Sequence, residues 1–427
     1  NPSGKILQID ALKLNIVTTT NFNLNDIAVD LTHQFSQVIS ESIENSEITY
    51  MKENDATSGF KRNGIKLISS EEKQKELLLF FLEKGYLPWN AQEGDIRTFI
   101  QTESWYEVLK DKRFVSNIVG LLKQNEIHID RFLLQFPPEI IISFLFSIHT
   151  EKKDLPEVAN LFIRALKRLV SKRNKGWADE FFEKFIDFTQ KNDFLSLAAN
   201  KEFIKKVAAA FEKESYLQAE HKDFIPGGLE ASGIKDNSKD SKIITEEVFN
   251  EIEEKPFFEA VEKGIAIQNA GLILLHPFLK PFFQKLGLLD EKGGIKKPEM
   301  QVAIQTLHYL ATGKEEFFEG NLVFEKFLCS MPLKMPMQRD SLLTDEIKDE
   351  SQLLLTEVIR HWAALKSTSP DGLRQLFILR NGKLIKESTN YRVIVERKAQ
   401  DVLLDGLTWN LSMIKLPWKK ELILIEW

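Results

Sequence analysis

IHIDRFLLQFPPEIIISFLFSI, residues 127–148, decides what kind of chain this is. Apolar residues recur at spacings of three and four on both sides of Pro137-Pro138, the mark of helices that bury a face. Proline ends a helix because it lacks an amide hydrogen and clashes with the preceding turn, yet it suits a first turn. The pair therefore predicts one helix over 127–136 and a second over 138–150. Ile140 to Ile148 is the strongest apolar run in the chain and falls far short of the roughly 20 residues needed to cross a bilayer. The reading is of a soluble helical protein without membrane insertion.

Outward from this stretch, the same spacing predicts helices over 25–43, from Ser69 or Ser70 to Gly85, over 96–109 and over 115–123. Ser69 or Ser70 would cap the second of these, with Glu71 and Glu72 favouring its positive end. Three more helices are expected between Pro156 and Tyr216, where Phe181, Phe182, Phe185 and Phe188 share a face. Towards the start, Gly4 to Val17 alternates loosely, so short strands are expected there, and 51–64 reads as a loop. No charged-then-apolar leader is read at Asn1. Short helical pairs occur, but no fixed repeat period defines a solenoid.

The clearest break begins at Ile225-Pro226-Gly227-Gly228 and runs to Lys242, rich in Gly, Ser, Asp and Lys. The expected organisation is a helical domain over 1–225, a linker over 226–243 and a second domain over 244–427. In that second domain, helices are predicted over 245–254, 257–274, 277–286, 298–312, 322–330 and 341–365. Another begins at Ser369-Pro370-Asp371 and ends at Asn381-Gly382. From Lys383 the pattern changes. Residues 383–387 and 391–396 alternate around Ser388-Thr389-Asn390, which predicts a hairpin, and 421–427 reads as a terminal strand. The fold class is mainly α with minor β (α+β), a two-part helical array ending in that hairpin and strand.

Composition narrows the function classes. A chain of 427 residues exceeds what one core usually organises. With 43% hydrophobic and 28% charged residues it has enough apolar side chains for a folded core. Lys and Arg number 57 against 63 Asp and Glu, so no basic field favours nucleic acid as a partner. Cys329 stands alone, which excludes a disulfide framework within the chain, fits a reducing cytoplasm and reads as a small core residue.

Signs of catalysis are scarce. Gly293-Gly294-Ile295-Lys296-Lys297-Pro298 has the wrong spacing for a phosphate-cradling loop, no serine lies in a glycine-flanked elbow, and no histidines sit at i, i+4. His276, His308 and His361 lie on apolar helices and would have to converge to hold a metal. The commoner role is a hydrogen-bonded core or helix-end group, and His276 beside Pro277 suits backbone groups freed at a break. Asp401 and Asp405 are read as sharing a helical face, and with Glu396 nearby they would form an acidic pair for acid-base work; the commoner reading is a solvated surface opposite Val402, Leu403 and Leu404. No catalytic, cofactor-binding or metal-binding residue is assigned. Leu87-Pro88-Trp89 and Leu416-Pro417-Trp418 read as packed turns.

Several blocks of the second half occur together in one family. Asn269-Ala270-Gly271-Leu272-Ile273-Leu274-Leu275-His276-Pro277-Phe278-Leu279 is followed by Phe282-Phe283, Leu286-Gly287-Leu288-Leu289 and Leu307-His308-Tyr309-Leu310-Ala311-Thr312-Gly313. Leu328-Cys329, His361-Trp362-Ala363-Ala364-Leu365-Lys366 and Thr368-Ser369-Pro370-Asp371-Gly372-Leu373-Arg374 come next. Val395-Glu396-Arg397-Lys398, Asp401-Val402-Leu403-Leu404-Asp405, Ile414-Lys415-Leu416-Pro417-Trp418 and Glu426-Trp427 close the series. Together with Gly85-Tyr86-Leu87-Pro88-Trp89, they resemble the contractile injection system tape measure protein family. Leu407-Thr408-Trp409 stands where that pattern has another Leu-Pro-Trp.

The resemblance implies a non-enzymatic part of a phage-tail-like particle, with no cofactor. It would be assembled in the bacterial cytoplasm, with a place in the released or cell-anchored particle, and would contact inner-tube, baseplate or cap proteins. Its role would be tube length control or tube and baseplate assembly. The alternative is a baseplate or cap adaptor or chaperone that docks through aromatic helical faces, and less favoured is a metal-dependent enzyme. As one helix the 427 residues would reach about 640 Å, whereas a compact chain of that length has a radius of gyration of about 22 Å. The short, proline-interrupted helices favour packing, hence a folded module at one end of the particle or a chain that unfolds to measure.

Overall fold

A computed structural model describes residues 5–9, 27–37, 39–40, 65–91, 94, 102–149, 155–169, 181, 183, 185, 204–209, 264–365 and 368–427. The expected loop over 51–64, the linker over 226–243 and the helix over 245–254 lie outside the described residues. The chain divides into two compact units, Asn1–Glu76 and Leu77–Trp427.

In the first unit, strand β1 (Lys5–Ile9) pairs antiparallel with β2 (Ile65–Ser69), Lys5 opposite Ser69 and Ile9 opposite Ile65. Residues 27–37 are helical, within the helix expected over 25–43. Helix α1 (Ser70–Lys84) starts on a capping box: Ser69 Oγ accepts from the Glu72 amide at 3.0 Å, and the Glu72 carboxylate accepts from the Ser69 amide at 3.3 Å.

The second unit begins with the buried face of α1 (Leu77, Leu78, Phe81 and Leu82) and continues through short helices. These are α2 (Thr102–Val108), α3 (Lys112–Gln124), α4 (Glu126–Gln135), α5 (Pro138–His149) and α6 (Leu155–Leu169). Asp111 and Asn125 cap α3 and α4, and Pro138 opens α5 as the sequence predicts. Phe132 gathers Phe136, Phe144 and Phe162 at ring distances of 4.9, 5.2 and 6.0 Å. Buried Trp105 donates to the Ile140 carbonyl at 3.2 Å.

Further along, β3 (Ile265–Ile267) leads to a 3-10 turn (Ala270–Leu275), α7 (His276–Lys285), α8 (Met300–Thr312) and α9 (Val323–Leu328). Helices α10 (Asp345–His361) and α11 (Pro370–Leu373) precede β4 (Gly382–Glu387), β5 (Asn390–Val395), β6 (Met413–Ile414) and β7 (Ile423–Glu426). The sheet runs β3-β4-β5-β7-β6, antiparallel except for β5 with β7. Thus the predicted hairpin and terminal strand form, and β3 and β6 add two short edges. The mainly α fold with minor β is as expected.

Three boundaries differ from the sequence reading. Of the helix predicted over 257–274, residues 257–263 lie outside the described residues, and the rest runs through β3 and the 3-10 turn instead. Ala270 to Leu275 are all buried, so no polar face exists to define a helical period. Asn269 turns left-handed at φ 55 between the two. Second, the helix starting at Pro370 passes into a π-helical turn (Arg374–Ile378), and Gly382 belongs to β4. Third, α10 starts only after Thr344, whose hydroxyl caps the Ile347 amide, and a 3-10 turn at Ala363–Leu365 follows it.

Gly271 fixes how the 3-10 turn meets the π turn, because a Cβ there would lie 1.8 Å from the Phe377 carbonyl oxygen. Substituting Gly271→Ala is expected to cost about 3 kcal/mol or more, since backbone cannot yield as a flexible side chain can. Gly120→Ala, in α3 with no atom within 4 Å, should instead gain about 1 kcal/mol. Urea denaturation of both variants checks the contrast.

Candidate functional site

Buried charge is costly unless it is paired and hydrogen-bonded, so dry ion pairs mark the places a fold cannot leave to chance. In Leu77–Trp427 the foremost such place joins α4 to the segment before α9. Arg131 of α4 is fully buried, and so is Glu319, in the 3-10 turn Glu319–Asn321. Arg131 Nε donates to Glu319 Oε1 at 3.3 Å, and Lys326 Nζ donates to the same oxygen at 2.7 Å. The remaining Arg131 nitrogens donate to the Leu82 and Lys334 carbonyls. Lys326 also donates to the Leu333 and Met335 carbonyls, at 3.3 and 2.7 Å.

The Leu333, Lys334 and Met335 carbonyls belong to an irregular strap, residues 331–338, that follows α9. Along it Met331, Leu333, Met335, Pro336, Met337 and Gln338 are buried, and its middle turns at 333–334 with the Met335 amide on the Pro332 carbonyl at 3.0 Å, while side chains hold much of the remaining backbone. Gln135 donates to the Met337 carbonyl at 2.6 Å, Gln301 accepts from the Gln338 amide at 2.8 Å, and Gln305 holds Asp340 and Leu342. Gly85, at φ +80, makes room: a Cβ there would sit 2.5 Å from Arg131 Nη2 and 2.8 Å from the Leu333 carbonyl. Burial pushes the Lys326 ammonium down to about 8, against the pull of Glu319. Nothing in the sequence analysis selected Arg131, Glu319 or Lys326. Their signal is opposite charge inside apolar runs, FFEGNLVFEKFL over 317–328 and IDRFLL over 129–134.

A second dry carboxylate lies nearby in sequence. Glu325 accepts from Asn269 Nδ2 at 2.7 Å, and His308 Nδ1 lies 3.9 Å from it without a hydrogen-bond partner. His308 Nε2 bonds the Glu316 carbonyl, His276 Nδ1 bonds the Ile273 carbonyl at 3.1 Å, and His361 is exposed with its ring 5.8 Å from Phe278. The three histidines thus serve separate local contacts, and no group of three metal-ligating side chains occurs among the described residues. Cys329 is buried, and burial raises its thiol well above the usual range.

Other residues of the sequence blocks quoted above hold turns. Trp362 donates to the Leu403 carbonyl at 3.0 Å and Trp418 to the Leu328 carbonyl at 2.8 Å, with Trp418 stacked 5.3 Å from Phe283. Gly313 ends α8 left-handed at φ +69, its amide on the Tyr309 carbonyl, and Arg374 lies 5.8 Å over the Tyr309 ring. Ser369 caps Pro370-Asp371-Gly372 by accepting from the Gly372 amide, and Asp371 pairs with Arg374 at 2.6 Å. Pro277 sits in the first turn of α7. Leu416 is buried beside exposed Pro417.

Two surface readings are corrected. Asp401 is not solvated: it pairs with Arg380 at 2.8 Å and accepts from the Lys398 amide and the Trp427 indole. It lies in a 3-10 turn (Ala399–Gly406), where three residues per turn expose Ala399, Val402 and Asp405 and turn Asp401 inward. Asp401 and Asp405 therefore do not share a face. Leu87 is buried next to Pro88, but Trp89 is 83% exposed, so that triplet is packed only at its start. The aromatic faces expected to dock partners pack inward at Phe114, Phe132, Phe144, Phe162 and Phe185.

Replacing Glu319 with Ala strands two buried cations and is expected to cost about 3–5 kcal/mol, read as the shift of the urea midpoint. His128 of α4 is also buried, its Nδ1 donating to the Leu121 carbonyl at 2.8 Å. Burial holds its pKa below 6.5 despite that bond, with Arg131 pushing the same way. The folded chain then keeps His128 neutral while the unfolded chain takes up a proton, so below pH 6.5 stability falls with pH. Thermal melts from pH 7 to 5 should show a shallower loss in His128→Asn.

A family model described as contractile injection system tape measure protein matches residues 1–427. No curated protein and no solved structure matches the chain significantly.

Proposed function

The chain belongs to the contractile injection system tape measure protein family, and from that premise we propose that it acts as a folded module in tube length control or tube and baseplate assembly. Membership makes it a structural and assembly component of a phage-tail-like contractile particle. Inner-tube and baseplate or cap proteins are the partners this reading needs, met in the bacterial cytoplasm as the particle is built.

The observation that carries the folded form is the length and packing of the helices. Among the described residues the longest, α10, has 17 residues, which spans only about 26 Å at 1.5 Å per residue. Its Leu354, Leu355, Val358 and Ile359 are buried against the core, as are the inner faces of α3 and α4. A ruler that spans a tube as one long helix would have to give up this burial, at about 25 cal/mol for every Å² of apolar surface exposed. A module that sets where tube growth starts or stops keeps it. No helix among the described residues is long and apolar enough to cross a membrane.

Deleting the gene from the producing bacterium and imaging its particles tests the assembly role: lost particles, or tails of irregular length, are expected. Normal particles that fail only in delivery would overturn it. In-frame shortening of the 226–243 segment separates module from ruler. Tail length should stay constant, whereas tails that shorten in step with the deletion would establish the extended ruler.

A further inference from the structure

The apolar interior of Leu77–Trp427 comes in two clusters. One is built from residues between Leu77 and Ala208, the other from residues between Ile265 and Ile423. Among the described residues, few apolar side chains cross between them. Phe318 enters the first cluster, 4.7 Å from the Phe81 ring, and Tyr86 packs against the second. Among the described residues the hydrogen bonds that cross start from α4. They comprise Arg131 to Glu319, Arg131 to the Lys334 carbonyl, and Gln135 to the Met337 carbonyl.

We propose that this polar seam is a latch, along which the two clusters part as intact folded bodies, with Glu319 and the strap over 331–338 as its closing elements. A seam of this kind differs from a core in what separation costs. Opening returns Arg131, Glu319 and Lys326 to water, so hydration offsets the lost ion pairs, which seldom contribute much net stability. The apolar surface given up is mainly that of Phe318, Tyr86 and the Leu87 contact at Gly320. Each cluster keeps its own packing: Phe132 with Phe144 and Phe162 on one side, Phe283 with Trp418 on the other. Local opening of this sort draws on the low end of a protein's range of opening free energies. The closed state is nevertheless unique, because two donors of Arg131 and one of Gln135 must all meet fixed oxygens across the seam, at Glu319, Lys334 and Met337.

The inference deepens the folded-module reading and rests on it for its use: two folded bodies joined by a latch can engage two tail partners without unravelling. Hydrogen exchange of the full-length chain in graded urea, followed by mass spectrometry, tests the latch itself. Peptides carrying the amides of Asn321, Leu322, Met335 and Gln338 are expected to exchange through an opening less dependent on urea than that of peptides within α5 and α8. Glu319→Ala should speed that seam exchange by about a hundredfold to a few thousandfold while α5 and α8 stay protected. If seam and core lose protection together, or the seam does not respond, the latch is wrong.

Should Glu319→Ala fail to fold, the apolar triple variant R131M/E319L/K326M serves. It should fold and slow the seam exchange, and unchanged or faster exchange would overturn the proposal. Because exchange is read on the isolated chain, its outcome is independent of the particle imaging. A latch that opens in a chain whose loss leaves tails normal would overturn the function and leave this inference standing.

Discussion

Two cations share one carboxylate oxygen at Glu319, and the arrangement of the larger unit depends on that dry contact. Coulomb attraction draws Arg131 and Lys326 to the same oxygen, but attraction alone would not keep three charges out of water. The carbonyls of Leu82, Leu333, Lys334 and Met335 complete their hydrogen bonding, and each is available only if its segment passes within reach. The end of α1, helix α4, helix α9 and the strap are therefore placed by one polyvalent centre. Gly85 shows the same constraint from the steric side, since both Arg131 and the strap lie where its side chain would stand.

A different device closes the C-terminal part. Helix and turn ends leave carbonyls without intrahelical partners, and tryptophans supply the missing donors. Trp409 donates to Leu274 at the end of the 3-10 turn, Trp418 to Leu328 at the end of α9, and Trp362 to Leu403. An indole covers apolar neighbours with its ring and spends its single N–H on the carbonyl, so packing and hydrogen bonding are met together. These tryptophans thus have a structural role at turns that needs no chemistry there. Trp409, which follows Thr408 and not a proline, bonds in the same way.

How far the sequence could be read follows from the same physics. Where one face was wet and the other dry, the period marked the element: α3 was read over 115–123, inside its true span, and β4 and β5 were read around Ser388-Thr389, while the Asp111 cap of α3 went unread. Where every face was dry the period vanished: Ala270 to Leu275 offered only apolar residues, and a 3-10 turn after a left-handed Asn269 was not distinguishable from a helix. Asp401 failed for a related reason, because an α-helical repeat was applied to a segment that turns every three residues. The charge centre was hidden differently. Single charges such as Arg131 and Glu319 are 188 residues apart in sequence, and no local pattern encodes a pairing between them.

Length control is usually pictured as a matter of extension, yet this chain commits its apolar residues to short helices and a small sheet. A protein can influence length without spanning it, if it defines the point at which a growing tube begins or is closed. For that task what matters is a fixed presentation of surfaces, and a fold tied by directional bonds to buried charge supplies it. Hydrophobic contacts tolerate sliding and repacking, whereas an ammonium, a guanidinium and a carboxylate held by fixed carbonyls admit one register. The seam thus trades net stability for a defined geometry. That trade suits a component whose closed form must be the same in every particle.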